Sequence, residues 1–102
     1  MQEPIELRVD LEVGAAYVVF RHLEDGEHIE QVTRLDQDVV VQYDRNGRAV
    51  GIELIQILGQ SIESAASFAG QNGLGFPPLR EFIRGHAPAD VAGAPVPEAM
   101  AA

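Results

Sequence analysis

From Ile5 the chain alternates: Ile5, Leu7, Val9 and Leu11 are apolar, and Glu6, Arg8, Asp10 and Glu12 lie between them. A period of two predicts a strand with one face buried. After the turn-like Glu12-Val13-Gly14, the run Ala15 to His22 is β-branched and aromatic, which predicts a second strand in a central position or covered on both faces. Leu23 to His28 reads as a loop holding Gly26. A third strand alternates through Ile29, Gln31, Thr33 and Leu35, with Glu30 and Arg34 on its other side. The fourth and fifth strands, Val39 to Tyr43 and Arg48 to about Leu58, flank the corner Asp44-Arg45-Asn46-Gly47. Asn46 and Gly47 tolerate the positive φ of a tight reversal, and Asp44 can bond its own turn amides, so this segment predicts a hairpin. Gly51 inside the fifth strand predicts a bulge or a close backbone approach.

Beyond Leu58 the period changes. Ser61 can cap a helix in which Ile62, Ala65, Ala66 and Ala69 share one face, with Gly70 at its C-terminal end. Gln71 to Phe76 reads as a Gly-rich link, and Pro77 to Arg84 as a second short helix that starts on proline, ends at Gly85 and anchors through Leu79, Phe82 and Ile83. From residue 86 the chain is rich in Ala and Pro and predicts a disordered tail. Short connections favour an antiparallel meander. The expectation is therefore one α+β domain over residues 1–85, with a sheet of about five strands over 6–58, helices over 59–85, and a tail over 86–102.

Charge narrows the choice of partner. The chain of 102 residues has 16 Asp and Glu against 7 Lys and Arg, all of them Arg, for a net charge of −9. Binding to nucleic acid takes a basic patch that displaces counterions, so an acidic body argues against it. Such a surface keeps a domain soluble, which is explanation enough for the charge, and can also steer it toward a basic protein surface. There is no cysteine, which excludes disulfides, thiol nucleophiles and thiolate zinc sites and suits a reducing cytoplasm. No apolar run approaches the roughly 20 residues that span a bilayer, and Met-Gln-Glu-Pro opens without a basic leader, so a cytoplasmic protein with no membrane partner is expected.

Candidate chemistry is sparse. Gln42 to Glu53 can be laid over the twelve-residue calcium loop, with Asp44, Asn46, Gly47 and Glu53 at its third, fifth, sixth and twelfth places. The first place holds Gln42, which lacks the charge a hard cation wants, and strands flank the loop where helices should stand. Turn chemistry with a surface Glu53 accounts for the same residues. His22 and His28, with Glu24 or Asp25, could in principle hold a metal, and His86 falls in the expected tail; none has an i, i+4 partner. Ser61 and Ser64 belong to no nucleophile elbow. Gly70, Gly73 and Gly75 reverse the dinucleotide fingerprint, with no Lys to hold a phosphate. No catalytic constellation and no cofactor are expected. The terminal Glu98-Ala-Met-Ala-Ala102 looks like the Ala-Ala ending of bacterial degradation tags.

Two segments, Arg8 to Phe20 and Val40 to Ile55, resemble a small bacterial family known as domain of unknown function 2283. The resemblance spans about residues 6–58, and its most specific piece is the D-x-N-G-R-x-V-G-I-E stretch from Asp44 to Glu53. Asp10 fits a family position, whereas Ala15 or Ala16 stands where a second Asp is usual. The resemblance implies no established activity. It also implies a setting beside small genes resembling ribonuclease toxins, hence an antitoxin-like partner. The functional expectation is a non-catalytic protein-binding module with a basic partner, plausibly homodimeric through an edge strand or the small-residue helix face. The alternative is a metal or small-molecule sensor built on residues 42–53.

Overall fold

The computed structural model describes residues 1–86. The element order is β1 (Glu6–Asp10), β2 (Ala15–Val19), β3 (Gln31–Asp36), β4 (Val39–Tyr43), β5 (Ala49–Leu54), α1 (Gly59–Gln71) and α2 (Leu79–His86). The expected α+β class is found: five antiparallel strands followed by two helices. The expected tail and its Ala-Ala ending lie outside the described residues, except that His86 closes α2.

The strand order is β1-β2-β5-β4-β3, which departs from a simple meander at one connection. β2 pairs with β5 instead of β3, and residues 20–30 carry the chain past the hairpin end to the far edge. Three consecutive strands joined by tight turns, with a fourth reached by a long connection, form a Greek key. Burial explains the choice. Ala49, Val50, Gly51, Ile52 and Leu54 of β5 are buried, so this strand needs a neighbour on each side. β3 exposes Gln31, Val32 and Arg34 and is suited to an edge.

Register sets the core. Ile52 of β5 faces Val18 of β2 on one side and Val41 of β4 on the other, and all three are fully buried. Leu54 lies likewise between Ala16 and Val39. Ile57, Ile62, Ala65, Ala69, Leu79 and Ile83 complete the cluster from the helical side. The helices thus cover one face of the sheet, and the small Ala65 and Ala69 let α1 lie close to it.

All four helix boundaries differ from expectation. α1 begins at Gly59, so Ser61 sits in the first turn instead of ahead of it. Its hydroxyl accepts the Leu58 amide and donates to the Gln56 carbonyl, each at 2.8 Å, which still satisfies a donor at the helix start. The helix also runs through Gly70. Its reversal falls at Gly73, which has φ +68°, and the Leu74 amide bonds back to the Ala69 carbonyl at 2.9 Å. This is a Schellman end, and it prefers Gly73 because the apolar residue that must close it, Leu74, follows directly and is buried. α2 starts at Leu79, after the two prolines, and takes in Gly85. Leu79 and Ile83 are buried and Phe82 packs beside them.

The Gly-rich link over 71–76 is tied down. Gln2 donates its amide to the Gly73 carbonyl and accepts the Gly75 amide, both at 2.8 Å, and its side chain donates to the Ala49 carbonyl at 2.8 Å. The start of the chain thereby joins the helical layer to the fifth strand.

Candidate functional site

Strand alternation places a row of side chains on the sheet face away from the helices. Arg8 stands opposite Tyr17, Tyr17 opposite Glu53, Glu53 opposite Val40, and Val40 opposite Arg34. The adjoining row is Glu6, Val19, Gly51, Gln42 and Val32. Val19 and Val40 are buried yet lie outside the main cluster, so this face has a small apolar floor of its own.

Tyr17 is the largest group on that floor. Its ring lies across Gly51, where a Cβ would come within 2.5–2.6 Å of the ring atoms Cζ and Cε1. Its hydroxyl donates to Oε1 of Gln42 on β4. Gly51 therefore serves the close approach expected of it, the approaching group being a side chain of the neighbouring strand. Burial, and next the Glu53 carboxylate, push the Tyr17 phenol above its ordinary pKa, so at neutral pH it is a protonated donor and no base. Beside it, Arg8 grips Glu6 through two bonds, Nε–Oε2 at 2.6 Å and Nη2–Oε1 at 3.2 Å, which lowers the Glu6 pKa.

Between these groups lies an open depression of about 240 Å³ lined by Arg8, Asp10, Ala15, Tyr17 and Glu53, among others. Asp10 Oδ1 is occupied in part by the turn amides of Glu12 and Val13, each at 3.1 Å. Glu53 differs. It is half-buried, and among the described residues no hydrogen-bond donor or cation is paired with its carboxylate. The arrangement offers a carboxylate without a counter-charge beside a fixed aromatic ring. That suits recognition of a positive group and supplies no nucleophile with an adjacent base.

A second cluster closes the hairpin. Asp44 is 4% exposed; its Oδ1 accepts the Asn46 amide at 2.8 Å and the Arg48 amide at 3.0 Å, and Oδ2 lies 3.6 Å from Arg21 Nε. Arg21 also grips Glu27 at 2.8 and 2.9 Å, which fastens the long connection to the hairpin. The Gly47 amide bonds to the Asp44 carbonyl at 3.0 Å. Only Gly47 takes positive φ (+77°) in the corner; Asn46 does not. The loop is a type I turn followed by a left-handed glycine.

The Arg48 amide holds the Asp44 carboxylate below the ordinary aspartate range; burial opposes this, and the Asn46 amide and Arg21 add to it. A depressed carboxylate stabilises the fold above its unfolded pKa and stops doing so as pH falls through the folded value. Its contribution is therefore lost from about pH 3.9 downward. Asp44→Asn is expected to flatten the acid limb of stability, measured as the urea midpoint at successive pH values below neutrality. An acid limb as steep as that of the unsubstituted chain would show that Asp44 does not set it.

The residues considered for metal binding sit apart. Asp44 and Asn46 are at the corner, while Glu53 lies five positions along β5 from Arg48, roughly 16 Å of strand away. His22 Nε2 is 3.4 Å from Glu6 Oε1, whereas His28 Nε2 is 4.0 Å from Glu30 Oε1. Among the described residues no three His, Asp or Glu side chains are grouped to hold a metal ion. The Ser61 hydroxyl is committed to the helix start, and Ser64 lies against Asp36, lowering its pKa. Neither the Tyr17–Gln42 contact nor the Arg21 clamp was anticipated from sequence. The available signal was an aromatic residue on the polar side of a strand, two residues from a glycine across the ladder.

A family described as Protein of unknown function (DUF2283) matches residues 7–57. The chain belongs to this family. The DUF2283 stretch runs from β1 to just beyond β5, so it contains the uncovered face and the hairpin clamp, while both helices lie beyond it. No curated protein and no solved structure matches the chain. Among the described residues no helix is long and apolar enough to cross a membrane.

Proposed function

We propose that this DUF2283 protein is a non-catalytic binding module that takes a basic protein partner on the uncovered face of its sheet. The observation that carries this reading is Glu53: a half-buried carboxylate at the centre of the sheet, beside a locked tyrosine, with no cation among the described residues paired to it. A carboxylate without a partner beside an aromatic ring is a place where an incoming Lys or Arg can form an ion pair across an interface. The net charge of −9 steers such a partner toward the face. In its specific form the partner is a basic, RNA-cleaving protein, and the module masks it as an antitoxin does. The lack of cysteine fits a cytoplasmic setting for that role.

Co-expression with the product of the neighbouring gene tests the proposal. The expected result is a stoichiometric complex with a protein rich in Lys and Arg that weakens as salt rises. Glu53→Lys should weaken it by about 30-fold or more, since losing one partner of a buried interfacial charge pair costs roughly 2 kcal/mol or more. No complex, or one indifferent to both salt and Glu53→Lys, would sink the reading.

A further inference from the structure

Among the described residues β3 is the outer strand of the sheet, paired with β4 on one side and with no strand on the other. Such an edge presents unpaired amides and carbonyls that can receive a strand from another chain. Val32, near its centre, is 57% exposed and lies on the uncovered face opposite Gln42. Two copies of β3 can meet antiparallel about a two-fold axis in three near-central registers, and charge separates them. An axis at Thr33 brings Glu30 toward Asp36 and sets Val32 against Arg34. An axis at Gln31 sets Glu30 against Val32. An axis at Val32 puts valine on valine, Gln31 on Thr33, and Glu30 on Arg34 twice over.

We propose that the protein forms a homodimer by antiparallel β3–β3 pairing centred on Val32, which joins two five-stranded sheets into one. Directly opposed strand residues have Cβ atoms about 4.5–5.5 Å apart, within reach of both an ion pair and an apolar contact. The other edge is poorer. Pro4 stands just ahead of β1, and an axis at Arg8 would oppose Glu6 to Asp10 and arginine to arginine. An axis at Leu7, which opposes Glu6 to Arg8, would have to use two side chains already bonded to each other within the strand at 2.6 and 3.2 Å. A charged residue and the register shift between Arg34 and Asp36 are devices that guard an edge against pairing. Glu30 of a second copy answers the first, and the shift lies past the Glu30–Arg34 stretch that pairs. Arg34 now donates to the exposed Gln37 carbonyl at 2.7 Å, and among the described residues the Glu30 carboxylate has only His28 at 4.0 Å. Both side chains can therefore exchange partners, while the Glu30 amide stays with the Tyr43 carbonyl at 3.0 Å. The interface is short, and a weak dimer follows.

This inference is independent of the basic-partner reading, and its test needs no partner. Sedimentation equilibrium of the full chain from micromolar to millimolar concentration should show a concentration-dependent dimer. Arg34→Glu turns both ion pairs repulsive and should weaken it about tenfold or more. Val32→Lys, which sets like charges on the axis, should do the same. The charge exchange Glu30→Arg with Arg34→Glu should restore association to within about threefold of the original. These residues are exposed, and circular dichroism confirms that each variant stays folded. A chain that is monomeric throughout, a dimer unmoved by Arg34→Glu and Val32→Lys, or an exchange that restores nothing overturns the proposal.

Discussion

Gly51→Ala is expected to destabilise the protein by about 2–3 kcal/mol, in the range for forcing extra volume into a packed site. Alanine normally stabilises a strand relative to glycine, because glycine loses more backbone freedom on folding. Here space overrides that preference. The added Cβ would stand 2.5 Å from Cζ of Tyr17, and β5 cannot withdraw because β2 and β4 hold it on both sides. The ring must lift, which breaks its bond to Gln42 and uncovers the valine floor. Removing the ring first should cancel the penalty. In a Tyr17→Ala background, Gly51→Ala should be close to neutral, so the two substitutions are strongly non-additive in urea unfolding. Equal costs in both backgrounds would show that the ring is not what Gly51 accommodates.

The largest loss should come from Ile52→Ala, at about 3–4 kcal/mol, from lost burial plus the cavity left behind. Val18 and Val41 flank Ile52 across the ladder and all three are fully buried. β-branched neighbours on a central strand have little freedom to close a void. In a domain whose whole stability is of order 5–15 kcal/mol, that loss is a large fraction, and Ile52→Val, which removes one methylene, should cost only about 1 kcal/mol. Chemical denaturation measures both. An alanine variant no less stable than the valine one would place the core elsewhere.

Much of this architecture is legible along the chain, and the misses share a cause. Alternation from Ile5 to Leu11 and the Asp44-to-Gly47 corner are local signals, and both hairpins form where they predict. The order of strands is not local. Nothing near Val19 indicates that β5 is its neighbour; only the comparison of a doubly buried β5 with an exposed β3 does so. The choice between Gly70 and Gly73 likewise depends on Leu74 finding a buried place. At the candidate site, Gly51 was readable as a close approach, whereas the approaching Tyr17 becomes visible once β2 and β5 are paired. The unpaired state of Glu53 is a property of the assembled face and has no signature in sequence.

The pairing of β2 with β5 also governs how the chain can mature as it is made. The first two strands leave the ribosome as a ribbon whose inner edge and apolar residues Ala16 and Val18 have no companion until residue 54 has been synthesised. No shorter nascent chain can close the sheet. Closure of the sheet thus waits for β5, and the early ribbon is the species most exposed to aggregation or to rescue by a chaperone.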